Sequence, residues 1–251
     1  MKKILILIYS VLFMYNFSYT EDENRLNLDE ILKKVDDIRA PSNHFKCELE
    51  IVCYKNDKKT SVKKFELYVG DETKSLVKFV YPYEDKGKFL LMVEENLWFY
   101  NKGTKNPIRI TPQQRLLGEV SNSDVARVVY SVDYTPLNAE EVVIDNTRMY
   151  KLFLKAKTKA AYDSITLFVD KETYKPYKVE FYTVGGKLLK TAYYKNYQMI
   201  LDKERPTETE IIDEIRKGNR SVMKYSNFEI KEFPSYYFQK EHLQYMKWKN
   251  T

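Results

Sequence analysis

The sequence has few of the residues that most often carry catalysis or bind metal ions. It contains two histidines and two cysteines among 251 residues. His44 and His242 do not have the spacing of a metal-ligand pair. No serine lies in a Gly-x-Ser-x-Gly elbow. We therefore expect no enzymatic activity, no cofactor and no metal site.

The scarce cysteines do not form a disulfide framework. Cys47 and Cys53 lie in a run whose alternation places Phe45, Cys47, Leu49, Ile51 and Cys53 on one face of a single strand. At about 3.3 Å per residue the two cysteines stand roughly 20 Å apart. A disulfide needs Cα atoms within about 7 Å. We therefore expect both to be unpaired and to behave as small buried hydrophobic residues.

Charge of one sign is not concentrated anywhere in the chain. The formal net charge is +6, and 31% of residues are charged, with both signs represented. A nucleic-acid-binding protein usually clusters its basic residues on one face. The lysines at 58–59 and 63–64 are predicted to face solvent instead. No nucleic-acid partner is expected.

An apolar run near the start of the chain is short for a membrane span. Lys2 and Lys3 precede residues 4–14, a run of about 11, whereas a bilayer span needs roughly 20 residues. This pattern predicts a secretory signal peptide over residues 1–20, followed by a single domain over residues 21–251. An uncleaved N-terminal anchor is the alternative. The first cysteine is Cys47, so we expect a soluble, non-lipidated protein outside the cytoplasm.

Strand-like segments dominate the rest of the sequence. Short turns, such as residues 170–173, 185–186 and 217–219, separate several of them. Apolar residues alternate with lysine or glutamate, as in a sheet that is wet on one face, and the regular spacing favours a barrel or a strongly curved sheet. The predicted segments are residues 45–55, 62–70, 74–81, 88–94, 97–101, 107–111, 140–145, 148–157, 163–170, 176–184, 187–200, 207–216 and 219–228.

Three amphipathic helical segments accompany the predicted strands. The first begins at Asn27 or Asp29 and ends before Pro41. The second covers residues 121–131, and a further turn or helix lies within residues 234–246. The apolar stripes are Ile31, Leu32, Val35 and Ile38 in the first segment, and Val125, Val128 and Val129 among those of the second.

The apolar strand faces allow two interpretations, and periodicity alone does not choose between them. In one, the helices fill the concave side of the sheet and form an ordinary core. In the other, they act as a movable lid over a partly empty apolar trough that can hold acyl chains. The predicted lipid-binding lining is then Leu49, Ile51, Leu67, Val77, Phe79, Leu91, Trp98, Tyr100, Leu152, Leu154, Leu167, Val179 and Phe181.

Residues 81–134 carry a series of short motifs. They are Pro82, Lys86-Gly87-Lys88, Trp98-x-Tyr100, Arg109-Ile110, Gly118, Ser121 with Asp124-Val125, and Asp133-Tyr134. In this order they resemble the LolA-like family, and most closely its branch of outer-membrane lipoprotein-sorting proteins. The sequence departs from the family at two places. Gly118-Glu119-Val120-Ser121 stands where the family usually has Gly-Ser-x-Phe, and residues 70–74 lack the arginine that helps to latch the lid of LolA.

The resemblance implies a mainly β fold with some α (α+β), namely a half-open, strongly curved antiparallel β-barrel of about 11 strands with helices covering the concave face. It implies a periplasmic carrier that binds the acyl chains of lipoproteins or phospholipids in an apolar cavity and moves them toward the outer membrane. The implied partners are an inner-membrane exporter and an outer-membrane acceptor, and we expect a monomer. Arg109 is the predicted polar residue at the rim, with a surface salt bridge as its other interpretation. The alternative function is an envelope adaptor or chaperone-like protein that binds another protein rather than lipid.

Overall fold

The computed structural model describes residues 27–41, 44–71, 73–104, 106–126, 129–157 and 162–246. The predicted signal peptide, residues 1–20, lies outside the described residues, as does Val128 of the predicted lid. Within the described ranges the chain is mainly β, with a large, curved antiparallel sheet that does not close. The predicted fold class is thus confirmed in its coarse features.

The main sheet contains 13 strands, so the prediction of about 11 was too low. A hairpin of Arg115–Leu117 and Val120–Ser121, which the sequence did not predict, forms a separate two-stranded sheet. The strands are β1 Phe45–Lys55, β2 Lys58–Asp71, β3 Lys74–Tyr81, β4 Phe89–Val93, β5 Asn96–Tyr100, β6 Ile108–Ile110, β7 Arg115–Leu117, β8 Val120–Ser121, β9 Tyr134–Ile144, β10 Thr147–Ala156, β11 Ser164–Asp170, β12 Pro176–Tyr182, β13 Leu188–Ile200, β14 Lys203–Asp213 and β15 Asn219–Ile230.

The strand order is almost a simple meander. It runs β6-β5-β4-β3-β2-β1-β15-β14-β13-β12-β11-β10-β9, and β1 pairs with β15 in antiparallel register from Phe45↔Ile230 to Lys55↔Asn219. Among the strands in the described ranges, only this pair joins strands distant in sequence. The end strands β6 and β9 each have one neighbour, so the sheet remains open.

Tight turns of the expected chemistry join several neighbouring strands. Asn56 and Asp57, between β1 and β2, both have positive φ, and so do Asp145 and Asn146 between β9 and β10. Asn and Asp tolerate this left-handed conformation, which two-residue hairpins of the right twist require. Local turn chemistry therefore sets the register of these hairpins.

Helix α1, Leu28–Arg39, forms as the sequence predicts. The Asn27 side chain caps it by accepting a hydrogen bond from the Glu30 backbone N–H at 3.1 Å. Its apolar stripe is buried at Ile31, Leu32 and Val35 against the sheet. We call the face of the sheet that carries α1 the inner face.

The predicted middle helix over residues 121–131 was wrong as a single element. The described residues instead form two short helices, α2 Asn122–Ala126 and α3 Tyr130–Asp133. Val129 has extended backbone angles, φ −113° and ψ 107°, which end the helical path before α3 begins. With only 12, 5 and 4 residues in α1, α2 and α3, the helices cover the inner face less completely than predicted.

The C-terminal segment packs on the opposite, outer face of the sheet. It contains 3-10 helices at Ser235–Phe238 and Lys240–Tyr245. Leu243 is fully buried in a second apolar cluster with Leu76, Phe89, Leu91 and Tyr100. The protein therefore has two apolar layers, one on each face.

Candidate functional site

A cavity of about 90 Å³ lies on the inner face, beneath α2 and the end of α1. Residues of β1, β2, β13, β14 and β15 form its walls, and α2 with Val129 lies on the other side. The lining residues are Asp36, Arg39, Ala40, Phe45, Cys47, Leu67, Val69, Asp124, Val125, Ala126, Val129, Tyr194, Pro206, Thr209, Tyr225 and Phe228.

The structure separates the predicted lining residues into three groups. Leu67 lines the cavity, and so do Val125 and Val129 of the predicted lid. Nine residues belong to the same buried inner cluster but do not line this cavity: Leu49, Ile51, Val77, Phe79, Leu152, Leu154, Leu167, Val179 and Phe181. The third group, Leu91, Trp98 and Tyr100, lies on the outer face with the C-terminal segment.

The placement of Leu91, Trp98 and Tyr100 on the inner face was therefore wrong. Leu90 and Phe99 are the inward residues of β4 and β5. The sequence could not settle this, because the run at 89–93 is apolar on both faces and both faces are covered by protein. Alternation is informative only where one face is wet.

Sequence reasoning missed the aromatic wall contributed by Tyr194, Tyr225 and Phe228. These residues lie on strands that were predicted, but nothing local indicates that β13 and β15 meet β1 and β2 around one cavity. That arrangement depends on the long-range pairing of β1 with β15.

Arg109 lies on the edge strand β6, where it is exposed and stands opposite Trp98 in register. It is not part of the cavity lining. Its predicted role at a rim stays a prediction.

Helix α2 is held to the sheet by a buried ion pair. The Asp124 carboxylate pairs with the Lys190 ammonium of β13, and each side chain is 8% exposed. Asp124 also accepts the Ser121 backbone N–H at 2.7 Å. The Lys190 ammonium lies 4.7 Å from the Tyr162 ring centroid and 5.0 Å from that of Phe181. This cation thus links α2 to an aromatic part of the inner face.

Helix α3 is held by α1. The Asp36 carboxylate accepts the backbone N–H groups of Tyr130 at 2.9 Å and Ser131 at 2.8 Å. The Arg39 guanidinium lies 4.1 Å from the centroid of the Tyr130 ring, and the Tyr130 hydroxyl is 2.5 Å from that of Tyr194. We call α2, Val129 and α3 together the lid segment, because polar contacts fix both helices while Val125 and Val129 line the cavity.

Asp133, at the end of α3, sits in an environment that disfavours its charge. Burial raises the pKa of its carboxyl to about 6, and the nearby Asp36 carboxylate adds to the rise. The Val129 N–H, which donates to it at 3.1 Å, and the cations of Arg39 and Lys157 oppose the rise. The Asp133 carboxyl is therefore easier to protonate in the folded protein than an exposed aspartate.

The β7–β8 hairpin closes one end of the inner face. Gly118, with φ +55°, lies so close to the sheet that a Cβ would stand 2.5 Å from Cys53 Sγ and 2.6 Å from Ser221 Oγ. The neighbouring Glu119 N–H donates to Ser221 Oγ at 3.0 Å, and the Glu119 carboxylate meets Arg216 at 3.3 Å. Only glycine fits this approach, which explains why the motif needs it.

The cavity is too small for an acyl chain as it stands. A cavity of roughly 150 Å³ accommodates one benzene, whereas the volume here is about 90 Å³. This cavity would therefore have to enlarge before it could hold a fatty chain. In the described ranges, no group of three or more potential metal ligands lies together, and no described helix is both long and apolar enough to cross a membrane.

The chain is similar to several known proteins. A family model described as "Uncharacterized protein" matches residues 71–245. A LolA superfamily protein from Nitrosomonas europaea is 32% identical with a TM-score of 0.81, covering 85% of this chain and 97% of that one. A putative outer membrane lipoprotein-sorting protein domain from Vibrio parahaemolyticus is 22% identical, with a TM-score of 0.71 and coverage of 86% and 97%.

A third solved structure shares the fold. A DUF1329 family protein from Desulfovibrio piger is 19% identical with a TM-score of 0.73, and the match covers 86% of this chain and 97% of that one. No curated protein matches the sequence.

Proposed function

Since the chain belongs to the LolA superfamily, we propose that it is a periplasmic carrier that binds the acyl chains of lipoproteins or phospholipids and moves them toward the outer membrane. The observation that carries the proposal is the continuous apolar inner face, which the lid segment covers and on which polar contacts hold it. An exporter in the inner membrane would load the carrier, and an acceptor in the outer membrane would unload it.

The energy of burying acyl chains sets what such a carrier must do. At about 0.8 kcal/mol per buried CH₂, three chains of about 15 methylenes represent roughly 36 kcal/mol of transfer energy. A carrier must cover most of the apolar surface of these chains, and it must also release the chains to an acceptor. Both demands are met if the empty protein fills its own trough.

The lid segment supplies that filling. Val125 and Val129 line the same cavity as Leu67 and Phe45. Incoming acyl chains therefore displace apolar side chains of the protein rather than water. This competition lowers the net affinity for cargo and makes release to an acceptor feasible.

The polar contacts of the lid segment suit a cover that opens. A buried ion pair gains little net stability, because the attraction between its charges is offset by their desolvation. Opening α2 returns Asp124 and Lys190 to water and recovers that desolvation energy. In this proposal the Asp124–Lys190 pair holds α2 in place until cargo arrives.

A photocrosslinking experiment tests the proposal. Para-benzoylphenylalanine replaces Phe79, which faces inward, or Phe89, which faces outward; both are buried phenylalanines of neighbouring strands. Protein purified from a periplasm after irradiation should carry a lipid adduct at position 79 and none at position 89. Native mass spectrometry should show co-purifying lipid in the unmodified protein.

Two results would contradict carriage of lipid. One is the absence of lipid from both crosslinked variants and from the native protein. The other is a stoichiometric protein partner without lipid, which would favour the adaptor function.

A further inference from the structure

The main sheet splits between β14 and β15. Their ladder runs from Ile212↔Arg220 to Glu208↔Lys224 and ends there. Beyond that point residues 203–206 of β14 pair only with β13, and residues 225–230 of β15 pair only with β1. We call the opening between residues 203–207 and 225–230 the slot.

The sequence accounts for the split. In the pairing of β1 with β15, Asn227 and Phe228 oppose the single residue Cys47, and Asn227 has φ +53°. Such a bulge bends its strand and increases the local twist. On the other side of the slot, Pro206 lacks a backbone N–H, and proline is found in sheets at edges and bulges. Each strand therefore behaves as a local edge.

The inner cavity and a depression on the outside share two lining residues at the slot. Tyr225 and Phe228 line the inner cavity, and they also line an outer depression of about 380 Å³. The remaining residues of this depression are Gln198, Met199, Ile200, Leu201, Thr207, Ser226 and Asn227. These aromatic rings thus stand between the two spaces.

The chemistry of the outer depression is mixed. Gln198, Ser226 and Asn227 offer uncharged hydrogen-bonding groups, and Met199 is an apolar side chain that is 70% exposed. This combination suits the junction of a lipid, where acyl chains meet a polar head group. At the opposite end of the inner face, in the described part of the chain, Gly118 and the β7–β8 hairpin lie directly against the sheet.

We propose that the slot is a side portal through which the polar head of a bound lipid projects while its acyl chains occupy the trough. This inference rests on the proposed function and adds to it a binding site for the head-group junction. The cargo would lie with its chain ends toward Gly118 and its head at residues 225–228.

The first test fills the slot with a large side chain. Ser226→Trp places an indole in the outer depression, and Thr135→Trp is the matched control at an exposed position of β9. The probes are a fluorescent fatty acid and a phospholipid that carries the same fluorophore in one acyl chain. Ser226→Trp should weaken phospholipid binding by about tenfold or more, through lost head-group contacts and steric conflict. Fatty-acid binding should remain close to that of Thr135→Trp.

A second measurement keeps the test decisive if Ser226→Trp does not fold. Para-benzoylphenylalanine at Ser226, or at Ser61 near the closed end, is irradiated with a phospholipid labelled on its head group. We expect labelled adduct at position 226 and none at 61. Binding of neither probe by the native protein would refute the proposed function itself. Three other results would overturn the portal alone. The first is that both probes bind the two tryptophan variants with equal affinity, and the second is that Ser226→Trp weakens the binding of both probes equally. The third is labelling at position 61 instead of 226.

Discussion

Removal of the Lys190 ammonium is expected to open the lid segment. In Lys190→Met the Asp124 carboxylate stays buried, with the Ser121 N–H at 2.7 Å as its main remaining hydrogen bond. Breaking a buried ion pair by removing one partner costs about 3–5 kcal/mol, mostly from the uncompensated charge. Once α2 moves into water that cost disappears. The variant should therefore favour the open form by up to that amount.

The expected change is large enough to measure directly. A free-energy difference of about 3 kcal/mol corresponds to roughly 100-fold, and about 5 kcal/mol to several thousandfold, in the population of the open form. Hydrogen exchange of the backbone amides in Asn122–Ala126 should accelerate by a factor in this range. Uptake of a fluorescent fatty acid should become faster for the same reason.

Two further variants control the interpretation. In Lys190→Met combined with Asp124→Asn, no charge remains, and an asparagine oxygen can still accept the Ser121 N–H. This double variant should return to within about 1 kcal/mol of the native protein. Lys195→Met on the same strand removes a partly exposed partner of Glu210, and should change stability by no more than about 1 kcal/mol.

Either of two outcomes would show that the Asp124–Lys190 ion pair does not control the opening of α2. If amides in Asn122–Ala126 exchange equally in Lys190→Met and Lys195→Met, the ion pair does not hold α2. If the double variant is as open as Lys190→Met, the buried charge is not the cause.

Three other variants test separate parts of the structure. Asp133→Asn should raise the free energy of unfolding at pH 7 by up to about 3 kcal/mol. The reason is that the pKa of Asp133 in the folded protein, about 6, exceeds the usual 3.8. The stability linked to its protonated form is therefore complete below about pH 4 and is lost as the pH rises through 6. Urea unfolding from pH 4 to 7 should show that difference grow with pH. Gly118→Ala should cost about 1–3 kcal/mol, from a positive φ and the contact with Cys53, and Ser221→Ala should relieve part of it in a double-mutant cycle. Leu243→Ala should cost about 2–5 kcal/mol in thermal unfolding by removing a fully buried side chain of the outer face. Its effect on fatty-acid affinity should be small, and a large one would show that the two apolar layers are coupled.

Local sequence features predicted the elements whose causes are local. Helix α1 follows from its Asn27 cap, its apolar stripe and Pro41, and strands such as β1 and β3 have the predicted bounds. Turn residues with a preference for positive φ mark several hairpins. In each case the decisive interactions lie within a few residues of one another.

The rest depends on interactions between distant residues. The Asp124–Lys190 pair joins positions 66 residues apart, and the cavity exists because β1 meets β15. The middle helix was predicted as continuous because its apolar spacing is helical, yet Val129 is extended and β-branched residues lose side-chain freedom in helices. Pro206 alone does not predict the slot, because the split also depends on the bulge at Asn227 in the neighbouring strand.

The two unpaired cysteines stand at opposite ends of the inner face. Cys47 lines the cavity beside the slot, and Cys53 lies under Gly118. Burial raises the pKa of the Cys47 thiol to about 12, so almost none of the reactive thiolate exists while the protein is closed. The two thiols can therefore serve as reporters of local opening. The order in which an alkylating reagent modifies them would report, in the unmutated protein, which end of the inner face opens to solvent first.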